Sequence, residues 1–274
     1  MSTKKALDPG RLSDDTFCMT VLAISAHPDD IEFTMAGTLL LLKKAGCDIH
    51  LINIANGCYG SMTLPPQEIA AVRWQEALAS ARLLGAVMHE PLVDDLDIFY
   101  TPELVRRLTA VVRAVKPDLV LTLSLEDYME DHMNAARLAV TATFLRGVPS
   151  YRSMPDATPV LEDAMVYHGT PISLTDMMRR PIVPEVYVDV TSVIGEKEKM
   201  LACHVSQKEW LDATQGFDSY LATMREMAEK VAALSGKGFR YAEGWRRHEH
   251  AGYTQRDGNP LGDILPGLCV SAGS

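Results

Sequence analysis

No apolar run in the 274-residue chain approaches the roughly 20 residues of a bilayer span, and the opening MSTKKALDPGRLSDD has no apolar h-region. Neither insertion nor export is expected, and the cytoplasm is the expected location. Basic blocks are also missing. Lys and Arg number 26 against 36 Asp and Glu, a formal charge of -10. A phosphate track for nucleic acid or a patch for anionic membrane is therefore not expected, and a small neutral or cationic ligand fits better. The five cysteines (Cys18, Cys47, Cys58, Cys203 and Cys269) are odd in number, widely spaced and without C-x-x-C, which excludes a disulfide framework or a zinc ribbon. None is expected to act as a nucleophile. The chain has no internal repeats, no G-x-G-x-x-G after its first strand and no G-x-x-x-x-G-K-[ST], so the usual nucleotide cradles are absent.

What is present is an ordinary globular composition, 47% hydrophobic and 23% charged. Short β-rich runs at 19–25, 48–55, 86–93 and 117–124 each lead into a helical pattern, with Gly46, Gly85, Pro102 and Pro117 near the breaks. Four successive β-α units predict an α/β fold, a Rossmann-like three-layer α/β/α sandwich with a mostly parallel sheet and a smaller C-terminal lobe. The expected organisation is an extension at 1–18, a catalytic core at 19–185 and a lobe at 186–274 that completes the substrate cleft within one compact domain. Strands are expected at 164–168 and 185–190, helices at 192–211 and 217–234, and a loop-like tail from 252.

In an open parallel sheet, residues after the carboxyl ends of the strands converge. The run ISAHPDDIEF places His27, Asp29 and Asp30 after the first strand, and the fourth strand is followed by Glu126, Asp127, Tyr128, Glu130, Asp131 and His132. A hydrolytic zinc site needs about three N or O ligands and an open position for water. His27, Asp30 and His132 supply that set, and Asp29 is left beside it as a general base. Taken singly, His27 reads as a core histidine and Asp29 or Asp30 as a helix N-cap. Taken together, buried carboxylates and imidazoles without a cation would be costly.

Several stretches resemble the PIG-L/LmbE family of zinc-dependent N-acetylglucosaminyl deacetylases. They are A-H-P-D-D-I-E-F, the following G-T-L, Asn56-Gly57, Arg73-x-x-Glu76, Asp95 before T-P-E-L, P-D-L-V-L-T, D-Y-M-E-D-H, H-x-S-Q at His204–Gln207, and Y-A-E-G-W at Tyr241–Trp245. The resemblance implies a divalent metal, usually zinc, with another transition metal allowed, at His27, Asp30 and His132, and Asp29 as general base. It implies that Arg73 contacts sugar hydroxyls and that Asp95 does likewise or positions Asp29. A C-terminal histidine, His248 or His250, would stabilise the oxyanion or share the acid role. The implied substrate is an N-acetylated amino sugar or glycoside, released as free amine and acetate, and the resemblance also allows a homo-oligomer.

One departure stands out. Many members carry H-P-D-H where this chain has Met129-Glu130-Asp131-His132. Met129 is expected to line the sugar site, because a thioether is a poor zinc ligand, and Asp131 is expected to orient a ligand. His204 reads as structural. Two other functions stand beside the deacetylase. One is the same site hydrolysing a non-sugar or thiol-conjugate amide, and the other is a non-catalytic Rossmann-like sugar or nucleotide binder.

Overall fold

The computed structural model describes residues 19–208, 220–255 and 257–272. The expected extension at 1–18 and the expected helical residues 209–211 and 217–219 lie outside the described residues. Strand β1 (Thr20–Ser25) is buried along its whole apolar run, which is the signature of a strand covered on both faces. It pairs in parallel with β2 (Asp48–Asn53) on one side and β4 (Leu119–Thr122) on the other; β3 (Val87–His89) and β5 (Met165–Gly169) extend the parallel region.

The full order is β3-β2-β1-β4-β5-β7-β6-β8. The strand order switches between β1 and β4, and the crevice of such a fold opens at that switch. Helices α2 (Ala36–Lys44), α3 (Pro66–Leu84) and α6 (Ile194–Leu201) pack together, as do α4 (Pro102–Val115) and α5 (Glu130–Leu145). The three-layer expectation is met.

The C-terminal segment does more than lean on this core. Strands β6 (Val186–Asp189), β7 (Ala242–Arg247) and β8 (Cys269–Ser271) continue the same sheet, with β7 antiparallel between β5 and β6. Strand β7 was not expected, since Glu243, Gly244, Arg246 and Arg247 hide its alternation. The loop-like tail is likewise corrected: Pro260 opens helix α8 (Pro260–Ile264), the Asn259 side chain caps it at Gly262, and the short edge strand β8 follows.

Buried Glu243 ties this extension to the first β-α unit. Its two oxygens accept from the amides of Gly37 (2.8 Å) and Thr38 (2.7 Å) in the first turn of α2, and Lys197 Nζ of α6 donates to it at 2.6 Å. A Cβ on Gly37 would stand 2.6 Å from Val190, so only glycine lets the helix start approach this closely. Trp245 Nε1 adds a bond to Thr38 Oγ1 at 3.1 Å. The G-T-L and A-E-G-W stretches are thus two halves of one joint. Glu243→Gln leaves the buried Lys197 charge uncompensated and is expected to cost about 3 kcal/mol in chemical denaturation, with Lys197→Met in the same chain restoring most of it.

Candidate metal centre

The turn after β1 is built by its own residues. Pro28 narrows the path, and Asp29 takes a left-handed backbone (φ 108°) as it opens the short helix α1 (Asp30–Thr34). The amide of His27 donates to Asp30 Oδ2 at 2.7 Å. That bond fixes the carboxylate and turns Oδ1 toward His132 Nε2, 3.3 Å away in the first turn of α5. One ligand-capable atom from each of His27, Asp30 and His132 lies within 4.8 Å of the others, and all three residues are buried.

Behind each imidazole stands a carboxylate. His27 Nε2 meets Asp131 Oδ2 at 2.9 Å, and His132 Nδ1 meets Asp127 Oδ2 at 3.2 Å. These contacts leave His27 Nδ1 and His132 Nε2 facing Asp30, the carboxylate-oriented arrangement that metal-binding histidines use. Asp131 also accepts from the amide of Leu96 (3.0 Å), a residue in left-handed backbone at φ 63°. The donor set N, N, O suits a divalent transition metal.

The electrostatics tell the same story. Burial alone would push His27 down, but its bonds to Asp131 and Asp30 outweigh that and raise its pKa to about 9. Burial would likewise lower His132, yet Asp30 and Asp127 hold it well above the ordinary range. Burial would raise Asp30, and the two imidazoles instead hold it well below. The cluster keeps protons where a cation would sit. Metal binding is therefore expected to release protons, with affinity rising about tenfold per pH unit for each proton displaced as pH climbs toward 9. Calorimetry in buffers of different ionisation heat measures this directly; zero proton release would contradict it.

Asp29 stands beside the triangle. Burial pushes its carboxyl up to about 6, opposed by Arg73, whose Nη2 lies 3.6 Å from Oδ1. The Tyr220 hydroxyl, at the start of α7 (Tyr220–Ser235), donates to Asp29 Oδ2. Sequence reasoning missed Tyr220, because nothing local marks a residue 191 positions from its partner. Asp127 follows the fourth strand in the sequence, but only its contact with His132 gives it a role.

The other expected site residues fall differently. Arg73, expected to reach sugar hydroxyls, has a side chain only 3% exposed. Its guanidinium donates to the carbonyls of Pro28 (2.6 Å) and Gly57 (3.3 Å), bracing the turn from behind. Gly57 and Gly60 leave room for it, since a Cβ on either would come within 2.6 Å of the Arg73 side chain. Glu76 binds Ser206 instead of Arg73. Asp95 accepts from the amides of Gly57 (2.6 Å) and Tyr59 (3.1 Å), so it shapes the loop after β2.

Met129 is half-buried at the N-terminus of α5. His204 is fully buried 3.3 Å from Glu32, whose other partner is Ser80 (2.6 Å). His248 and His250 are not brought to the triangle: His248 Nδ1 meets His168 Nε2 at 3.1 Å and its ring meets Tyr253, while His250 pairs with Glu249 at 2.8 Å. The antiparallel pairing of β7 with β5 sets His248 beside His168.

Residues 22–143, which contain the triangle and Asp29, match the PIG-L model, described as GlcNAc-PI de-N-acetylase. Over these residues the chain is similar to the PIG-L family. It is 28% identical over 238 residues to the diacetylchitobiose deacetylase of Thermococcus kodakarensis, covering 82% of each chain. It is 26% identical over 235 residues to the 4-oxalmesaconate hydratase of Pseudomonas putida, covering 82% of this chain and 87% of the relative. Among solved structures, N,N'-diacetylchitobiose deacetylase from Pyrococcus horikoshii, in complex with an inhibitor, superposes with a TM-score of 0.71 at 25% identity, covering 89% of both chains. The proteins that this chain is similar to thus include deacetylases, and one is named for hydration. No helix among the described residues is long and apolar enough to cross a membrane.

Proposed function

We propose that this protein is a zinc-dependent N-deacetylase that hydrolyses the acetamide of an N-acetylglucosamine-type sugar or glycoside to a free amine and acetate. The observation that carries this reading is the division of labour in one turn: Asp30 points into the ligand triangle while its neighbour Asp29 stays outside it, buried and adjacent. The named activities of the deacetylase relatives support the same reaction class.

His27, Asp30 and His132 would hold the ion, with Asp131 and Asp127 fixing the two rings. A bound divalent ion supplies an electrophile for the acetamide carbonyl and acidifies the attacking water. The chain does the rest. Asp29 Oδ1 takes the proton from the water, and Tyr220, donating to Oδ2, holds the carboxylate in one orientation. The same carboxyl then returns the proton to the departing nitrogen, without which an amide does not leave. Arg73 braces the Pro28 carbonyl and keeps a positive charge behind Asp29. His248 and His250 have no part in this reading, since their partners lie elsewhere.

The test is acetate release from a panel of N-acetylated amino sugars by zinc-loaded protein, alongside N-acyl amino acids and thiol conjugates. Turnover confined to the last two would move the substrate away from sugars. Lack of any hydrolysis, with metal bound, would sink the enzyme assignment.

A further inference from the structure

We infer that the mouth of this site selects an uncharged substrate with a flat apolar face beside the acetamide sugar, and that Leu96, Tyr59 and Tyr128 make the choice. The inference rests on the deacetylase reading above. The three residues sit on three different loops, after β3, β2 and β4; Leu96 and Tyr128 each touch the centre, and Tyr59 is tied to Asp95 beside it. The amide of Leu96 reaches Asp131 at 3.0 Å, the amide of Tyr59 reaches Asp95 at 3.1 Å, and the ring of Tyr128 meets that of His132 edge-on at 5.6 Å. Their side chains nevertheless stand in solvent, 58%, 52% and 56% exposed. Three large apolar groups therefore rim one buried polar cluster. Aromatic and aliphatic surfaces of this kind receive the C–H face of a second pyranose or an aromatic aglycone.

Leu96 is the most informative of the three. Its left-handed backbone, φ 63°, is where glycine, asparagine or aspartate is expected. The amide bond to Asp131 explains the backbone. It does not explain the leucine, whose exposed side chain gains little from packing, and a strained residue kept at a site mouth points to a role outside the fold.

Charge narrows the substrate further. Asp94 and Asp97 on the loop after β3 and Glu130 at the start of α5 are all exposed, and among the described residues no lysine or arginine pairs with them. Arg73 is buried behind the turn, and Arg246 lies 3.5 Å from Glu126. A phosphate or carboxylate on the substrate would enter against uncompensated negative charge, whereas a neutral glycoside meets no such barrier, and the amine product is cationic.

The test compares free N-acetylglucosamine, its phenyl glycoside and its 6-phosphate with zinc-loaded full-length protein. The phenyl glycoside should exceed the free sugar about tenfold in kcat/KM, mainly through KM, and the 6-phosphate should fall about tenfold below it, with the deficit shrinking at high salt. Leu96→Gly, which suits the left-handed backbone, should cut the phenyl-to-free ratio about tenfold without lowering the melting temperature, and Tyr128→Ser should act in the same direction. Equal turnover of free sugar and phenyl glycoside, a preference for the phosphate, or an unchanged ratio in both variants would overturn the inference. Calorimetric binding of the phenyl glycoside reads the rim independently: binding without acetate release overturns the deacetylase assignment alone, and absence of binding overturns the rim.

Discussion

Asp29→Asn is expected to keep the metal, lose the rate and, in metal-free protein, gain stability. Asparagine preserves the size of the side chain and still accepts from Tyr220, but it cannot take a proton from water. Loss of a general base costs about 10^2 to 10^4-fold, so a fall in kcat of about 10^3-fold is expected, with metal content by elemental analysis unchanged. Turnover within tenfold of wild type would remove Asp29 from the mechanism.

The stability half follows from the same burial. The folded protein raises the Asp29 pKa from 3.8 to about 6, so the fold binds this proton more tightly than the unfolded chain does. That contribution is present below about pH 4 and is lost as pH rises through about 6. Metal-free wild type should therefore weaken relative to Asp29→Asn across that window, reaching a difference on the order of 3 kcal/mol at neutral pH. Denaturant melts of both proteins at pH 4 and pH 7, with chelator present, measure the gap. A carboxylate destabilised in the resting fold and indispensable to the rate has the profile of a site residue.

His132→Ala is expected to abolish metal binding and activity together. The ring supplies Nε2 to the triangle, and no other imidazole among the described residues is placed to replace it, since the remaining member, His27, is already committed. Stoichiometry after dialysis should fall from one ion per chain toward zero. Wild type in zinc at 100 times its dissociation constant gains about 2.7 kcal/mol from binding, and the variant should gain none. Asp127→Asn is the graded control: it leaves the ligand but loosens its orientation, so affinity should drop 10–100-fold while some activity survives at high zinc. Full metal occupancy in His132→Ala would displace the assigned triangle.

The two sides of the centre differ in how far they could be read in advance. The HPDD turn and the E-D-H start of α5 were legible because their geometry is local. A strand end, a proline and a helix start place their own side chains within a few residues, and strand-helix alternation then brings β1 and β4 together. Arg73 illustrates the limit. Its helix and its proximity to the site were readable, but whether a guanidinium points at substrate or at backbone depends on Gly57 and Gly60 clearing space across the loop. His248 and His250 follow a motif near the site, yet the pairing of β7 with β5 sets His248 beside His168, and His250 pairs with its neighbour Glu249.

By itself, the amino-acid order determined the layered α/β fold and pointed to the proposed ligand set and base, since period, turn chemistry and donor type are properties of short stretches. Only the tertiary structure decided that Tyr220 holds Asp29, that Glu243 joins β7 to α2, and that the amide of Leu96 reaches Asp131. Those contacts span long loops, and which side chains meet across them depends on strand register and packing of the whole chain, which no local pattern encodes.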